Sequence, residues 1–111
     1  MELKEAKEQG VLILSLTGRL GASDVKPLKT RVLELLDGGE KTILFDLAEL
    51  DYINSGGLGV LTLTFQRLKS DGGFGLCCVK DYIMEVLDIS GYSKIFPLYD
   101  STEEGVGALS S

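Results

Sequence analysis

Apolar residues along this chain follow two patterns: short continuous runs, and stretches with an apolar position every three or four residues. Residues 11–17 (Val-Leu-Ile-Leu-Ser-Leu-Thr) are rich in apolar and β-branched side chains and stop at Gly18, which predicts a strand covered on both sides. The weaker segment 3–7 is expected to pair with it across a turn at Gln9 and Gly10. The period then changes, with Val25, Leu28, Val32, Leu35 and Leu36 at the spacing of an amphipathic helix. Ser23 or Asp24 is the expected cap, Pro27 is placed in the first turn, and Gly38-Gly39 supplies the stop.

Residues 41–47 contain Thr-Ile-Leu-Phe-Asp-Leu, the composition of a buried central strand. Leu58, Leu61, Phe65 and Leu68 mark a second helix ending near Asp71-Gly72-Gly73, and residues 74–79 form a further buried strand. Asp81 is expected to cap a third helix carrying Ile83, Met84, Val86 and Leu87 as far as Gly91, before a last short strand at 95–98. Ser101-Thr102-Glu103-Glu104 has capping-box spacing, so a final helix starts there even though Gly105 and Gly107 weaken it. Two strands followed by alternating helices and strands predict an α/β fold with right-handed crossovers: a mixed sheet of four to five strands under three to four helices.

Composition keeps this to one domain over residues 1–111, because 44% hydrophobic content supplies one core and the 14 Gly and 2 Pro are scattered without forming a linker. No apolar run reaches the ~18 to 20 residues that span a bilayer. The start, Met1-Glu2-Leu3-Lys4-Glu5, is too charged for a signal peptide, so a cytoplasmic chain is expected. A net charge of -6 argues against nucleic acid and anionic membranes as partners and suits a protein with a basic face.

The chemistry available is narrow. There is no His, which removes a Ser-His-Asp relay, a His general base and the common His-containing metal sites. Asp46, Glu49 and Asp51 read as ordinary solvated charges, and Cys77-Cys78 as reduced core residues in an apolar stretch without other ligand types. No metal, cofactor or enzymatic activity is expected. A nucleotide site is the alternative from another class, but neither Gly-Lys-Ser/Thr nor Gly-x-Gly-x-x-Gly occurs at the glycines of 56–59.

One segment asks for more than a core. Residues 51–60 read Asp-Tyr-Ile-Asn-Ser-Gly-Gly-Leu-Gly-Val, with three Gly in four positions between a strand and a helix. Glycine there permits unusual backbone angles and close approach of another surface. Asn54 or Ser55 stands where an N-cap belongs, so local pattern alone is satisfied if Ser55 merely caps the helix.

Asn-Ser-Gly-Gly-Leu-Gly-Val at 54–60, after Ile-Leu-Phe-Asp-Leu and Asp-Tyr-Ile, resembles the signature of the STAS-domain anti-sigma factor antagonists. That signature is an Asp or Asn, a phosphorylatable Ser, a small residue and Gly-Leu-Gly. By position Asn54 matches the polar residue, Ser55 the phosphoacceptor, Gly56 the small residue, and Gly57, Leu58 and Gly59 the last three. Gly18-Arg19-Leu20 also resembles the family's Gly-x-hydrophobic turn. Two departures, Gly21 where an Asp often stands and Asn54 in place of Asp, both remove negative charge beside Ser55.

The resemblance implies a protein-binding switch. With Ser55 unphosphorylated, the chain binds an anti-sigma factor that is also a serine kinase and frees a sigma factor; phosphorylation with the kinase's ATP ends binding, and a serine phosphatase restores it. The docking surface it implies joins Leu20, Gly21, Ala22 and Ser23 to Asn54, Ser55, Gly56, Gly57, Leu58 and Gly59. Other STAS domains serve lipid-transport ABC systems or signalling assemblies, and the retained Ser and Gly-Leu-Gly favour sigma regulation over these.

Overall fold

A computed structural model describes residues 1–110 of the chain. Its elements are β1 (Glu2–Glu8), β2 (Val11–Leu20), α1 (Ala22–Asp37), β3 (Thr42–Ile53), α2 (Ser55–Leu68), β4 (Gly73–Cys77), α3 (Asp81–Ser90), a single 3-10 turn (Tyr92–Lys94), β5 (Leu98–Tyr99) and α4 (Thr102–Leu109).

The five strands lie side by side in chain order, β1-β2-β3-β4-β5. β1 runs antiparallel to β2 through a tight turn in which Gln9 (φ 50°) and Gly10 (φ 81°) both take left-handed backbone angles, as a two-residue hairpin loop demands. The remaining pairs are parallel, so each needs a crossover helix, and α1, α2 and α3 supply them. Alternation along the strands then decides the layers. Leu12, Leu14, Leu16, Ile43, Phe45 and Leu47 pack against α1, α2 and α3, whereas Val11, Ile13, Leu44 and Cys77 face α4 through Val106. The larger layer is closed at one end by Phe45, Phe65, Phe74 and Phe96, whose neighbouring ring centroids lie 5.2 to 5.9 Å apart. Among the described residues no helix is long and apolar enough to cross a membrane.

Several expected boundaries move. β2 continues through Gly18 (φ 93°) to Leu20, and β3 runs twelve residues to Ile53, taking in Asp51 and Tyr52. Register shifts between Ser15 and Thr17 and between Gly18 and Arg19 let this pair stay joined past the end of the continuous apolar run. The α1 cap is Gly21, not Ser23 or Asp24. The Asp24 carboxylate instead accepts the Gly21 N–H at 3.0 Å, three residues back. Pro27 consequently falls in the second turn, where its missing N–H forgoes a bond to the Ser23 carbonyl.

Toward the C-terminus, α2 ends at Leu68, short of the expected glycines. β4 stops at Cys77 because Cys78 (φ 59°) leaves the extended region. Lys80, not Asp81, caps α3, and the strand expected at 95–98 is reduced to Leu98–Tyr99 behind the 3-10 turn. Ser101 does cap α4, accepting the Glu104 N–H at 3.0 Å.

Candidate functional site

The carboxyl ends of β2 and β3 release the chain into α1 and α2 at the same edge of the molecule, and backbone contacts lock the two exits together. The Asn54 N–H donates to the Leu20 carbonyl at 3.1 Å. Asn54 then takes extended angles (φ -92°, ψ 177°) and caps α2, its Oδ1 accepting the Gly57 N–H at 2.7 Å, while the Leu58 N–H donates to the Asn54 carbonyl at 3.1 Å.

With Asn54 in that role, Ser55 is the first helical residue and lies exposed. Among the described residues nothing hydrogen-bonds its hydroxyl. Of the two candidate caps, Asn54 and Ser55, the structure uses Asn54. The first turn also leaves the N–H groups of Ser55 and Gly56 outside the helical ladder, at the positive end of the α2 dipole and next to that hydroxyl.

The glycines differ in what they permit. A Cβ on Gly57 would stand 2.6 Å from Leu20 Cδ2 and 2.8 Å from Ile53 Cγ1, so only glycine lets the first turn of α2 sit on the strand ends. A Cβ on Gly56 would meet Val25 Cγ2 at 2.8 Å. The missing side chain lets α2 lie close against α1 at this point. At Gly59 nothing lies within 4 Å, and the bare backbone faces outward. It helps to floor a shallow groove between α1 and α2 with Val25, Lys29, Gly56, Val60 and Leu63.

The residues expected to form the docking surface are thus adjacent but unequal. Ala22, Ser23, Ser55 and Gly59 are exposed, Gly21, Asn54, Gly56 and Leu58 are half-buried, and Leu20 (0% exposed) and Gly57 are buried. Leu20 and Gly57 hold the site from beneath and present nothing outward. Val25, Lys29, Val60 and Leu63 were not foreseen, although each lies four residues from another wall of the groove, the helical spacing that could have found them. Beside the site, the Arg19 guanidinium stacks 4.3 Å above the Tyr52 ring and Lys80 Nζ donates to Asp51 at 2.7 Å.

The acidic group closest in sequence to the Gly21 turn is Asp24. The Gly21 N–H, and then the terminal ammonium at 3.4 Å, hold its carboxyl below the usual range. A negative charge is thereby retained three residues beyond the position where the expected Asp is replaced by Gly21.

On the opposite face, the reading of Cys77-Cys78 as lacking other ligand types needs correction, because strand pairing brings Asp46 beside them. The Asp46 carboxylate and both sulfurs lie within 4.8 Å of one another, and Thr102 Oγ1 sits 3.7 Å from Cys77 Sγ and 3.9 Å from Cys78 Sγ. Burial pushes the Cys77 thiol up to about 12.

Comparison with known proteins follows the same lines. The STAS domain family model matches residues 3–105. BtrV of Bordetella bronchiseptica, named as a candidate anti-sigma factor antagonist, is 36% identical over 109 residues, covering 97% of this chain and 94% of that protein. Among solved structures, the Thermotoga maritima protein TM1081 superposes with a TM-score of 0.92 at 23% identity, covering 98% of this chain and 95% of its own. The Bacillus anti-sigma factor antagonist SpoIIAA in its unphosphorylated form gives 0.85 at 17% identity, over 96% and 95% of the two chains.

Proposed function

This chain belongs to the STAS domain family, and from that premise we propose that it is an anti-sigma factor antagonist whose hold on its partner is released by a phosphate on Ser55. The observation that carries the reading is the division of labour at the start of α2: Asn54 caps the helix, and the exposed Ser55 hydroxyl is left to a partner.

The partner is an anti-sigma factor, and in the finer reading it is also the kinase that modifies Ser55 with its own ATP, a phosphatase later removing the phosphate. These events belong to the cytoplasm, where sigma factors act. SpoIIAA, of the same fold, has been solved in a phosphorylated form.

Electrostatics explains why such a switch acts on binding and spares the fold. Phosphorylation adds about -1.5 to -2 charges and three strong acceptor oxygens. On Ser55 they meet free N–H groups and the positive end of α2, a setting that favours an anion by ~0.3 to 1 kcal/mol. Across a docked interface the same dianion has to be desolvated against a surface shaped for a small neutral hydroxyl. An uncompensated buried charge costs several kcal/mol, and about 1.4 kcal/mol is already tenfold in affinity.

Among the described residues no hydrogen bond joins Ser55 to a base, and the exposed carboxylate Asp51 is engaged by Lys80. The test is capture from native extract with wild-type and Ser55→Ala bait, then ATP added to the captured complex and the phosphosite mapped. Phosphate on Ser55 of the wild-type bait, and none on the variant, supports the reading. Capture of an anti-sigma factor with phosphate placed elsewhere overturns the role of Ser55.

A further inference from the structure

We propose that Asp46, Cys77 and Cys78 form a zinc site on the α4 face of the sheet, away from the start of α2. Consecutive residues of a strand point to opposite faces, so a Cys-Cys pair ordinarily separates its sulfurs. Here it does not. Cys77 is the last residue of β4 and faces α4, and Cys78 follows it with φ 59°, a left-handed angle that few residues other than glycine adopt. That angle turns the second thiol back, so that both sulfurs close on the same Thr102 hydroxyl at 3.7 and 3.9 Å.

The third donor arrives through the register of the sheet. Asp46 on β3 is paired with Cys77 on β4, and paired residues of a parallel ladder share a face. Its Oδ1 is oriented by the Ala48 N–H at 3.0 Å. All three donor atoms lie within 4.8 Å of one another. Thiolates bound at about 2.3 Å in a tetrahedral site stand about 3.8 Å apart, so closure asks only for small side-chain rotations.

The donor set chooses the ion. Two sulfurs and one carboxylate oxygen are wrong for magnesium and calcium, which take oxygen shells, and right for zinc, which accepts sulfur and oxygen together in four-coordinate geometry. Three protein ligands leave one position for water, beside the Thr102 hydroxyl. Asp46 and Cys78 are half-buried and give a path from solvent, while Cys77 is buried. On binding, the six-coordinate aquo ion keeps one water and releases five as two Zn–S bonds and one Zn–O bond form, and the two thiol protons pass to solvent with no change of oxidation state. The ion would join β3 to β4 and, through Thr102, brace the first turn of α4.

The test uses the reduced full-length chain and cobalt(II) as a spectroscopic stand-in for zinc. One equivalent should produce thiolate-to-cobalt charge transfer in the near ultraviolet and intense tetrahedral bands in the visible, both abolished by one equivalent of zinc. Cys77→Ser risks the core, so the informative variants are Cys78→Ser and Asp46→Asn. Cys78→Ser should lose about half of the charge-transfer intensity and at least tenfold in zinc affinity. Asp46→Asn should keep the charge transfer and lose at least tenfold in affinity. Weak octahedral bands without charge transfer, an unchanged spectrum in Cys78→Ser, or one ion bound per two chains would each overturn the site.

Discussion

Asn54 Oδ1 accepts the Gly57 N–H at 2.7 Å, and this one bond gives the cap of α2 to Asn54 and leaves the Ser55 hydroxyl out of it. Because the cap belongs to Asn54, removing it should weaken the fold, and removing its neighbour's hydroxyl should not. Asn54→Ala is expected to lower stability by ~1 kcal/mol in urea denaturation, the usual value for a lost N-cap. Ser55→Ala should stay within about 0.5 kcal/mol of wild type, as exposed substitutions do. Equal losses in the two variants would make the Ser55 hydroxyl a structural group.

A carboxylate at position 55 tests the switch without a kinase. Ser55→Asp places a single negative charge at the first turn of α2, where the helix dipole favours it. The melting temperature should therefore stay level or rise slightly, while affinity for the captured anti-sigma factor falls tenfold or more. Wild-type affinity in this variant, measured by titration calorimetry, would move the switch away from Ser55.

Most of the architecture was legible because it follows from periodicity. The apolar run at 11–17, the helical spacing from Val25 to Leu36 and the turn at Gln9-Gly10 all reappear where hydrophobic burial puts them. The misplaced features depend on longer-range geometry. The extension of β3 to Ile53 rests on bulges in its pairing with β2, which no local pattern encodes. The outward or inward aspect of Leu20 and Gly57 depends on how two strand exits meet, so a motif could mark the pair as part of the site without showing that both are buried. The meeting of Asp46 with the cysteines depends on strand register across thirty-one residues of chain, from 46 to 77. Asn54 and Ser55 were both legible as candidate caps, and the fold selects Asn54, whereas the phosphoacceptor role of Ser55 rests on the resemblance.

Two depressed carboxylates should make the fold sensitive to acid. The bidentate Arg31 guanidinium, at 2.6 and 2.8 Å, depresses Glu5, and the Gly21 N–H depresses Asp24. A carboxyl depressed in the folded state contributes stability that is complete above its unfolded value, near pH 4, and lost as pH falls through the lower folded value. Thermal melts of the wild type should decline as pH drops below about 4. Glu5→Gln and Asp24→Asn should each show a shallower decline over that range. Variants as steep as wild type would mean that other carboxylates govern acid unfolding.

The two outer glycines of the Gly57-Leu58-Gly59 segment should answer in opposite directions to the same added methyl. At Gly57 the new Cβ would press on Leu20, fully buried beneath it, and on Ile53. Overpacking of this kind costs ~1 to 3 kcal/mol, so Gly57→Ala should destabilise the domain and loosen α2 from the strand ends. At Gly59 the methyl meets nothing within 4 Å, and alanine is the better helix former by up to about 1 kcal/mol, so Gly59→Ala should stabilise. Since Gly59 floors the groove between α1 and α2, the stabilised variant also maps the partner's footprint. Loss of anti-sigma factor binding in a more stable protein would place that groove inside the interface. Unchanged binding would confine the footprint to Ser55 and the loop at Ala22 and Ser23.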